Sequence, residues 1–204
     1  MIDHILMDVI SAMREAFEGA LLEQQAVEER FQIDVFLGDL SFETSYSLPG
    51  EGNPPRVRAD LSLDWPTWSQ SAYRSWSIGE SPSDPPELVI EVALRIQRLE
   101  SPPDPAVVMA VLAQAGPELG SDRIERTGLT IEQVYESDAN GAACAVEIAY
   151  QGTYRLEEAI LDDPDKLGEQ VAGLANWIAS ALVRLADLDL PFLPPDQEAD
   201  VTGA

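Results

Sequence analysis

The sequence predicts an α+β fold in which antiparallel β-meanders pack against amphipathic helices. Near each end of the chain, apolar residues recur every three or four positions, the spacing that lines one face of a helix. Between these segments, apolar and polar residues alternate over several short stretches, as they do in half-buried strands. Turn-forming residues separate the stretches, so we expect neighbouring strands to pair as meanders.

The first half of the chain is predicted to be a helix followed by three strands. Apolar residues from Ile2 to Leu21 follow the helical spacing. The pattern then changes to strict alternation, with a tight hairpin turn at Gly38-Asp39 and a loop rich in glycine and proline at 49–55. The three strands are predicted at 31–37, 42–48 and 57–63.

Two segments in the middle of the chain fit more than one structure. Residues 65–78 fit both a helical stripe and strand spacing, and we favour a loop that leads into a fourth strand. Residues 88–99 alternate like a strand, but Asp84, Pro85 and Glu87 resemble the capped start of a helix. We therefore expect a helix over 88–99.

The second half is predicted to repeat the order of helix, strands and helix. Asp104 is placed to cap a short helix that ends near 116–117, and Asn140-Gly141 predicts a hairpin turn. Residues 151–152 indicate a further turn, and the last amphipathic helix is expected to start at 163–164 and to continue to about Leu185. The strands are predicted at 124–135, 144–150 and 153–156.

This order suggests two related α+β halves, an N-terminal one at 1–100 and a C-terminal one at 104–188. They are either an internal duplication or parts of one compact domain. Residues 189–204 are acidic and contain prolines, so we expect a poorly ordered tail unless Phe192 and Leu193 dock.

The charge of the chain restricts its partners. Acidic residues number 37 against 12 basic ones, which gives a net charge of −25 and a pI near 4.1. Nucleic acid and anionic membranes are disfavoured because both are bound through Lys and Arg. A basic protein or peptide would be attracted, but Lys166 is the only lysine, which favours a bias of the whole genome over a dedicated basic partner.

The same totals indicate where the protein works. A single cysteine cannot form an internal disulfide, and the N-terminus lacks the pattern of a secretory signal. No stretch approaches the roughly 18 apolar residues that span a bilayer. We expect a cytoplasmic protein.

Residue types that carry common catalytic chemistry are scarce. His4 is the only histidine, and its position near the start of a helix favours a solvated residue over a general base. Cys144 lies among small apolar residues, which predicts a buried side chain without a chemical role. The loop 50–52 is acidic and unsuited to phosphate, and the acids at 162–165 suit helix capping better than calcium. We therefore predict no catalytic residue, no metal and no cofactor.

One segment has the composition of a binding site. Residues 65–76 hold three of the four tryptophans, together with a tyrosine and an arginine. These residue types dominate the energetics of interfaces, although tryptophan is buried on average and a core role is the favoured alternative. The candidate ligand-binding residues are Trp65, Trp68, Tyr73, Arg74 and Trp76.

The favoured function is a non-enzymatic adaptor or chaperone-like protein that binds a protein or peptide. Two alternatives stay open: an acidic inhibitor or immunity-type protein that neutralises a basic partner, and an enzyme that uses carboxylates without histidine or cysteine. A homodimer also remains open. The three classes differ in salt dependence, in the use of residues 65–76 and in the need for a deep pocket.

Overall fold

The computed structural model describes residues 4–23, 26–36, 38–135, 142–158 and 165–194. Within these ranges the chain forms four helices and seven strands in an α+β arrangement, as the sequence predicts. In chain order they are α1 (His4–Glu23), β1 (Val27–Phe36), β2 (Asp39–Ser47), β3 (Val57–Trp65), α2 (Thr67–Ser77), β4 (Glu87–Leu99), α3 (Pro105–Ala110), β5 (Ala115–Leu119), β6 (Asp122–Tyr135), β7 (Ala142–Arg155) and α4 (Asp165–Ala186).

One antiparallel sheet contains all seven strands in the order β1-β2-β3-β4-β7-β6-β5. The meanders β1–β3 and β5–β7 flank β4, with β3 and β7 innermost and the edge strands β1 and β5 outermost. Antiparallel meanders are thus confirmed, although the third strand of the second one is β5 and not the predicted strand at 153–156, most of which belongs to β7. One sheet runs through both predicted halves. The descent of the two halves from a duplication stays a prediction.

The core lies between the sheet and the helices α1 and α4. In α4 nine residues are buried, because this helix packs against β3, β4 and β5 on one side and against α1 on the other. The ring of Phe17 in α1 stacks on Tyr46 in β2, with 6.2 Å between the centroids. In β3 and β4, buried residues alternate with partly exposed ones, so one face of the sheet contacts the helices and the other is open.

Residues 88–99 form a strand, so the predicted helix is wrong. The segment is most of β4, the central strand, and it pairs with both β3 and β7. Its backbone pairs with a strand on each side, and every second side chain from Leu88 to Ile96 is buried, which together outweigh the capping signal at Asp84-Pro85. Asp84 and Pro85 instead belong to the loop that leads into β4.

Residues 67–77 form a helix, so the predicted loop and fourth strand at 65–78 are also wrong. Trp65 is the last residue of β3, and Pro66 is the N-cap residue of α2. Four residues of α2 are buried at helical spacing, which means that tertiary packing selected the helical reading of an ambiguous pattern.

Two boundaries in the second half differ from the prediction. The short helix α3 ends at Ala110, and the edge strand β5 occupies 115–119 where the helix was expected to end. Residues 151–152 do not turn, because β7 continues through them to Arg155. A β-carbon on Gly152 would lie 2.9 Å from backbone atoms of Arg123 and Ile124 in β6, so the glycine permits close approach of two strands.

Of the remaining predictions for turns and helix caps, one falls on described residues and the others fall outside them. Gly38 lies between β1 and β2 with a φ of 94°, as a tight hairpin turn requires, whereas Asp39, the other predicted turn residue, already pairs with Phe36 as the first residue of β2. The predicted turn at 140–141, the helix start at 163–164 and the acids at 162–163 lie outside the described residues.

The beginning of the tail docks on β4 through Phe192 and Leu193, the two residues on which its predicted order depends. Phe192 forms a β-bridge with Leu99, and the amide of Leu193 donates to the carbonyl of Arg98 at 2.7 Å. The guanidinium of Arg56 lies over the ring of Phe192 at 5.1 Å. The described part of the tail therefore extends the sheet beyond the start of β3.

Candidate binding surface on helix α2

Helix α2 is held to β3 and β4 by a buried serine. The indole Nε1 of Trp65 donates to Ser69 Oγ at 3.1 Å, and this hydroxyl donates to the carbonyl of Glu87 at 2.6 Å. The amide of Glu87 in turn donates to Ser69 Oγ at 2.7 Å. The ring of Tyr73 meets Trp65 edge-on, with centroids 5.5 Å apart. One hydroxyl thus joins the helix to the end of β3 and the start of β4.

The same helix is also fixed to the hairpin between β1 and β2. Asp39 accepts hydrogen bonds from the amide of Thr67 at 2.6 Å and from its hydroxyl at 2.8 Å. These two bonds lower the pKa of the Asp39 carboxyl, because both stabilise its charged form. Gln70 Nε2 donates to the carbonyls of Gly38 at 3.0 Å and Trp65 at 2.8 Å. The backbone of α2 is therefore restrained from two sides.

The outer side of α2 presents large side chains to solvent. Trp68 is 48% exposed and Ile78, directly after the helix, is 72% exposed. Ser71 and Arg74 are also exposed. Positions 68, 71, 74 and 78 follow helical spacing and share one side of α2. We call these four residues the Trp68 stripe.

The candidate residues therefore divide between core and surface. Trp65 and Tyr73 are buried, and Trp76 is half-buried and packs against the core. Trp68 and Arg74 lie on the surface, where the binding interpretation placed them. Residue Ile78 was missed because its relation to Trp68 appears only when 67–77 is recognised as a helix.

Acidic side chains lie close to the Trp68 stripe in the chain. Glu80 and Asp84 are exposed in the loop that follows α2. Asp39, also exposed, is bonded to the first residue of the helix. The surface around α2 thus combines exposed apolar area with negative charge.

The open face of the sheet has a different character. Asp60 accepts from Ser45 Oγ at 2.6 Å and from Arg58 Nε at 2.7 Å, and Arg95 lies 3.5 Å from it. Arg95 also pairs with Glu147 at 2.5 Å. These acids are neutralised by arginines, so the centre of this face is not the concentrated acidic surface that a charge-mimicking inhibitor needs.

Other predicted residues have plain structural roles. Cys144 is buried in β7 and is not in a disulfide. His4 is the first residue of α1. In the loop 50–52, Glu51 accepts two hydrogen bonds of 2.7 Å from Arg56. Within the described ranges no group of three or more His, Cys, Asp or Glu residues is arranged to hold a metal ion. Nor is any described helix long and apolar enough to span a bilayer.

One unusual residue was not singled out from the sequence. Arg98, near the end of β4, has a φ of 57°, which costs a residue other than glycine about 1–2 kcal/mol. Its side chain is only 9% exposed although arginine is rarely buried. An alternating strand pattern gives no signal for a left-handed residue, because the irregularity arises from how β4 meets its neighbours.

Comparison with known proteins identified no relative. No family model, no curated protein and no solved structure matches the chain.

Proposed function

We propose that the protein is a non-enzymatic binding protein that holds a peptide or protein segment against the Trp68 stripe. The observation that carries this proposal is the half-exposed ring of Trp68 on a helix that is fixed from two sides. Tryptophan and arginine are the residue types most enriched among energetic hot spots of interfaces.

The energy available at Trp68 is large enough to matter. A tryptophan side chain offers roughly 200 Å² of surface, of which about half remains exposed here. At about 25 cal/mol per Å², covering that area would contribute about 2–3 kcal/mol before other costs. The hydrogen bonds of Ser69 and Gln70 order the helix in advance, so little entropy is lost when a ligand binds.

The charge around α2 favours a basic ligand. Asp39 is bonded to Thr67 beside Trp68, and the exposed acids Glu80 and Asp84 follow Ile78 in the chain, whose net charge is −25. We therefore propose an extended segment that places an apolar side chain on Trp68 and Arg or Lys residues beside it. Its affinity should fall with added salt, because exposed charge pairs are screened over about 10 Å at 0.1 M ionic strength.

The test uses selection from a random peptide library on the immobilised full-length protein. We expect enriched peptides to combine Arg or Lys with aromatic or aliphatic residues and to bind more weakly at high salt. The double variant Trp68→Ala, Ile78→Ser should lose tenfold or more in affinity, because most of the apolar contact area is removed. Val107→Ser is the matched control, since Val107 is 46% exposed on the separate helix α3.

The outcomes separate the alternatives. Peptides that bind the double variant as well as the wild type would disprove the assignment to α2. Binding that depends on salt but not on Trp68 would favour the acidic inhibitor. A dimer that the double variant cannot form would instead make a second copy of the chain the ligand of the stripe.

A further inference from the structure

Arg98 lies where one edge of β4 changes its neighbour. Strand β3 pairs with β4 only as far as Val57 opposite Ile96, and beyond this point Phe192 of the tail forms a bridge with Leu99. The register with β7 also shifts between Ile96 and Leu99. Arg98 sits within this irregular stretch with its left-handed backbone, and both Arg98 and the following Leu99 are buried.

The guanidinium group of Arg98 is buried with unused donors. Its Nη2 donates to the carbonyl oxygen of Glu51 at 2.8 Å. Its Nε and Nη1 are enclosed and have no hydrogen-bond partner in the structure. Because an arginine side chain carries five N–H donors and keeps its charge at all ordinary pH values, the group is a buried cation with donors to spare.

The contact with Glu51 does not neutralise this cation. Arg98 bonds to the backbone carbonyl of Glu51, while the carboxylate of Glu51 accepts two hydrogen bonds from Arg56. No ion pair joins Arg98 to an acid within the described ranges. A buried guanidinium without a counter-charge is costly, and the group that matches its planar fork is an oxyanion.

We propose that Arg98 is the anchor of a carboxylate-binding site at this end of the sheet. The unused N–H groups donate to the carboxylate oxygens, and the docked segment 190–194 runs beside the backbone of Arg98. This segment is held there by Leu193 N to Arg98 O at 2.7 Å and by Glu100 N to Pro191 O at 2.9 Å.

Two sources can supply the carboxylate. The first is an acidic side chain of this chain, because Asp196, Glu198 and Asp200 follow the docked segment within six residues of Pro194. The second is a separate carboxylate-bearing molecule. Both would present the same group to the same guanidinium donors.

The test follows the Nε–H resonance of Arg98 by nitrogen-15 NMR in the full-length protein. Loss of the resonance in Arg98→Lys assigns it, and Arg95→Gln is the control for a surface guanidinium. Sodium acetate and sodium phosphate serve as probes. The triple variant Asp196→Asn, Glu198→Gln, Asp200→Asn distinguishes the two sources.

If the tail supplies the group, the triple variant shifts the resonance and makes it respond to acetate, whereas the wild type does not respond. If the ligand is separate, wild type and triple variant share one resonance position and both respond saturably to acetate. The proposal is overturned if neither acetate nor the triple variant moves the resonance. A response to phosphate alone would equally overturn the carboxylate assignment. None of these readouts involves Trp68, so the result is independent of the function proposed for α2.

Discussion

Replacing Ser69 by alanine tests how helix α2 is held. The substitution removes one oxygen atom from a site that is fully buried. Three hydrogen bonds of 2.6, 2.7 and 3.1 Å disappear with it, leaving the indole N–H of Trp65 and the amide and carbonyl of Glu87 without this partner. The void is small, so the cost is one of polar groups left unsatisfied and not one of lost packing.

The magnitude follows from the burial of those groups. A buried donor left without a partner costs about 1–3 kcal/mol, and the indole of Trp65 is such a donor. Glu87 is only partly buried, so water recovers part of the loss there. Alanine is the better helix former by a few tenths of a kcal/mol, which offsets little. We expect Ser69→Ala to lower the free energy of unfolding by about 2–3 kcal/mol.

Urea denaturation followed by tryptophan fluorescence measures this loss. A chain of this length has a denaturant slope of roughly 3 kcal/mol per M, so the midpoint should fall by about 1 M. Ser71→Ala is the matched control, because Ser71 is exposed on the same helix and bonds only to the carbonyl of Thr67 at 2.9 Å. Its midpoint should stay close to that of the wild type.

Equal midpoints for Ser69→Ala and the wild type would refute the reasoning, because they would show that the hydroxyl does not tie α2 to the sheet. Equal losses in both variants would refute it too. The rigidity that the proposed binding surface requires would then lack its support.

Three further predictions follow from particular contacts. Gly152→Ala should destabilise the fold by about 1–3 kcal/mol, because its β-carbon would meet the β6 backbone, while Gly128→Ala, with no atom within 4 Å of the added carbon, should be nearly neutral by the same urea assay. Asp39 stabilises the fold as a carboxylate above its ordinary pKa of 3.8, and this stabilisation is lost as the pH falls through its lowered pKa. As the pH is lowered from 6 to 3, the urea midpoint should therefore decrease less in Asp39→Asn than in the wild type. An equal decrease in both proteins would show that the Asp39 carboxylate does not stabilise the fold. Cys144 should react with iodoacetamide only in denaturant, and rapid labelling of the native protein would contradict its burial.

The fold class was predictable because it depends on periodicity. The apolar residues of α4 and the alternation in β2 and β3 each match a single template, and the structure confirms them. The prediction of a helix at 88–99 is wrong although alternate residues of β4 are buried, because the cap-like residues at 84–87 precede a strand. A residue in a cap-like position indicates a helix start only if the segment that follows it is helical. Alternation over a whole segment, in contrast, directly reflects which side chains are buried.

The binding surface was predictable in composition but not in detail. The residue types at 65–76 indicated an interface, but the sequence gives no means of telling that Trp65 faces the core and Trp68 the solvent. That assignment follows from the helical turn between the two residues, which was itself ambiguous. The burial of the Arg98 guanidinium without an acid could not be predicted from the sequence, because it arises from the pairing of β4 with β3, β7 and the tail.

The two proposed sites should act independently because they lie at opposite ends of β4. Helix α2 is bonded to Glu87, the first residue of the strand, and Arg98 precedes its last residue. Glu87 and Arg98 are 11 steps apart along the strand, which is about 36 Å at about 3.3 Å per residue. Energetic coupling over such a distance requires an element with two arrangements, and a central strand bonded on both sides is the least free to shift. Trp68→Ala should therefore leave the acetate response of Arg98 unchanged, and a changed response would mean that β4 moves as a unit when either end binds.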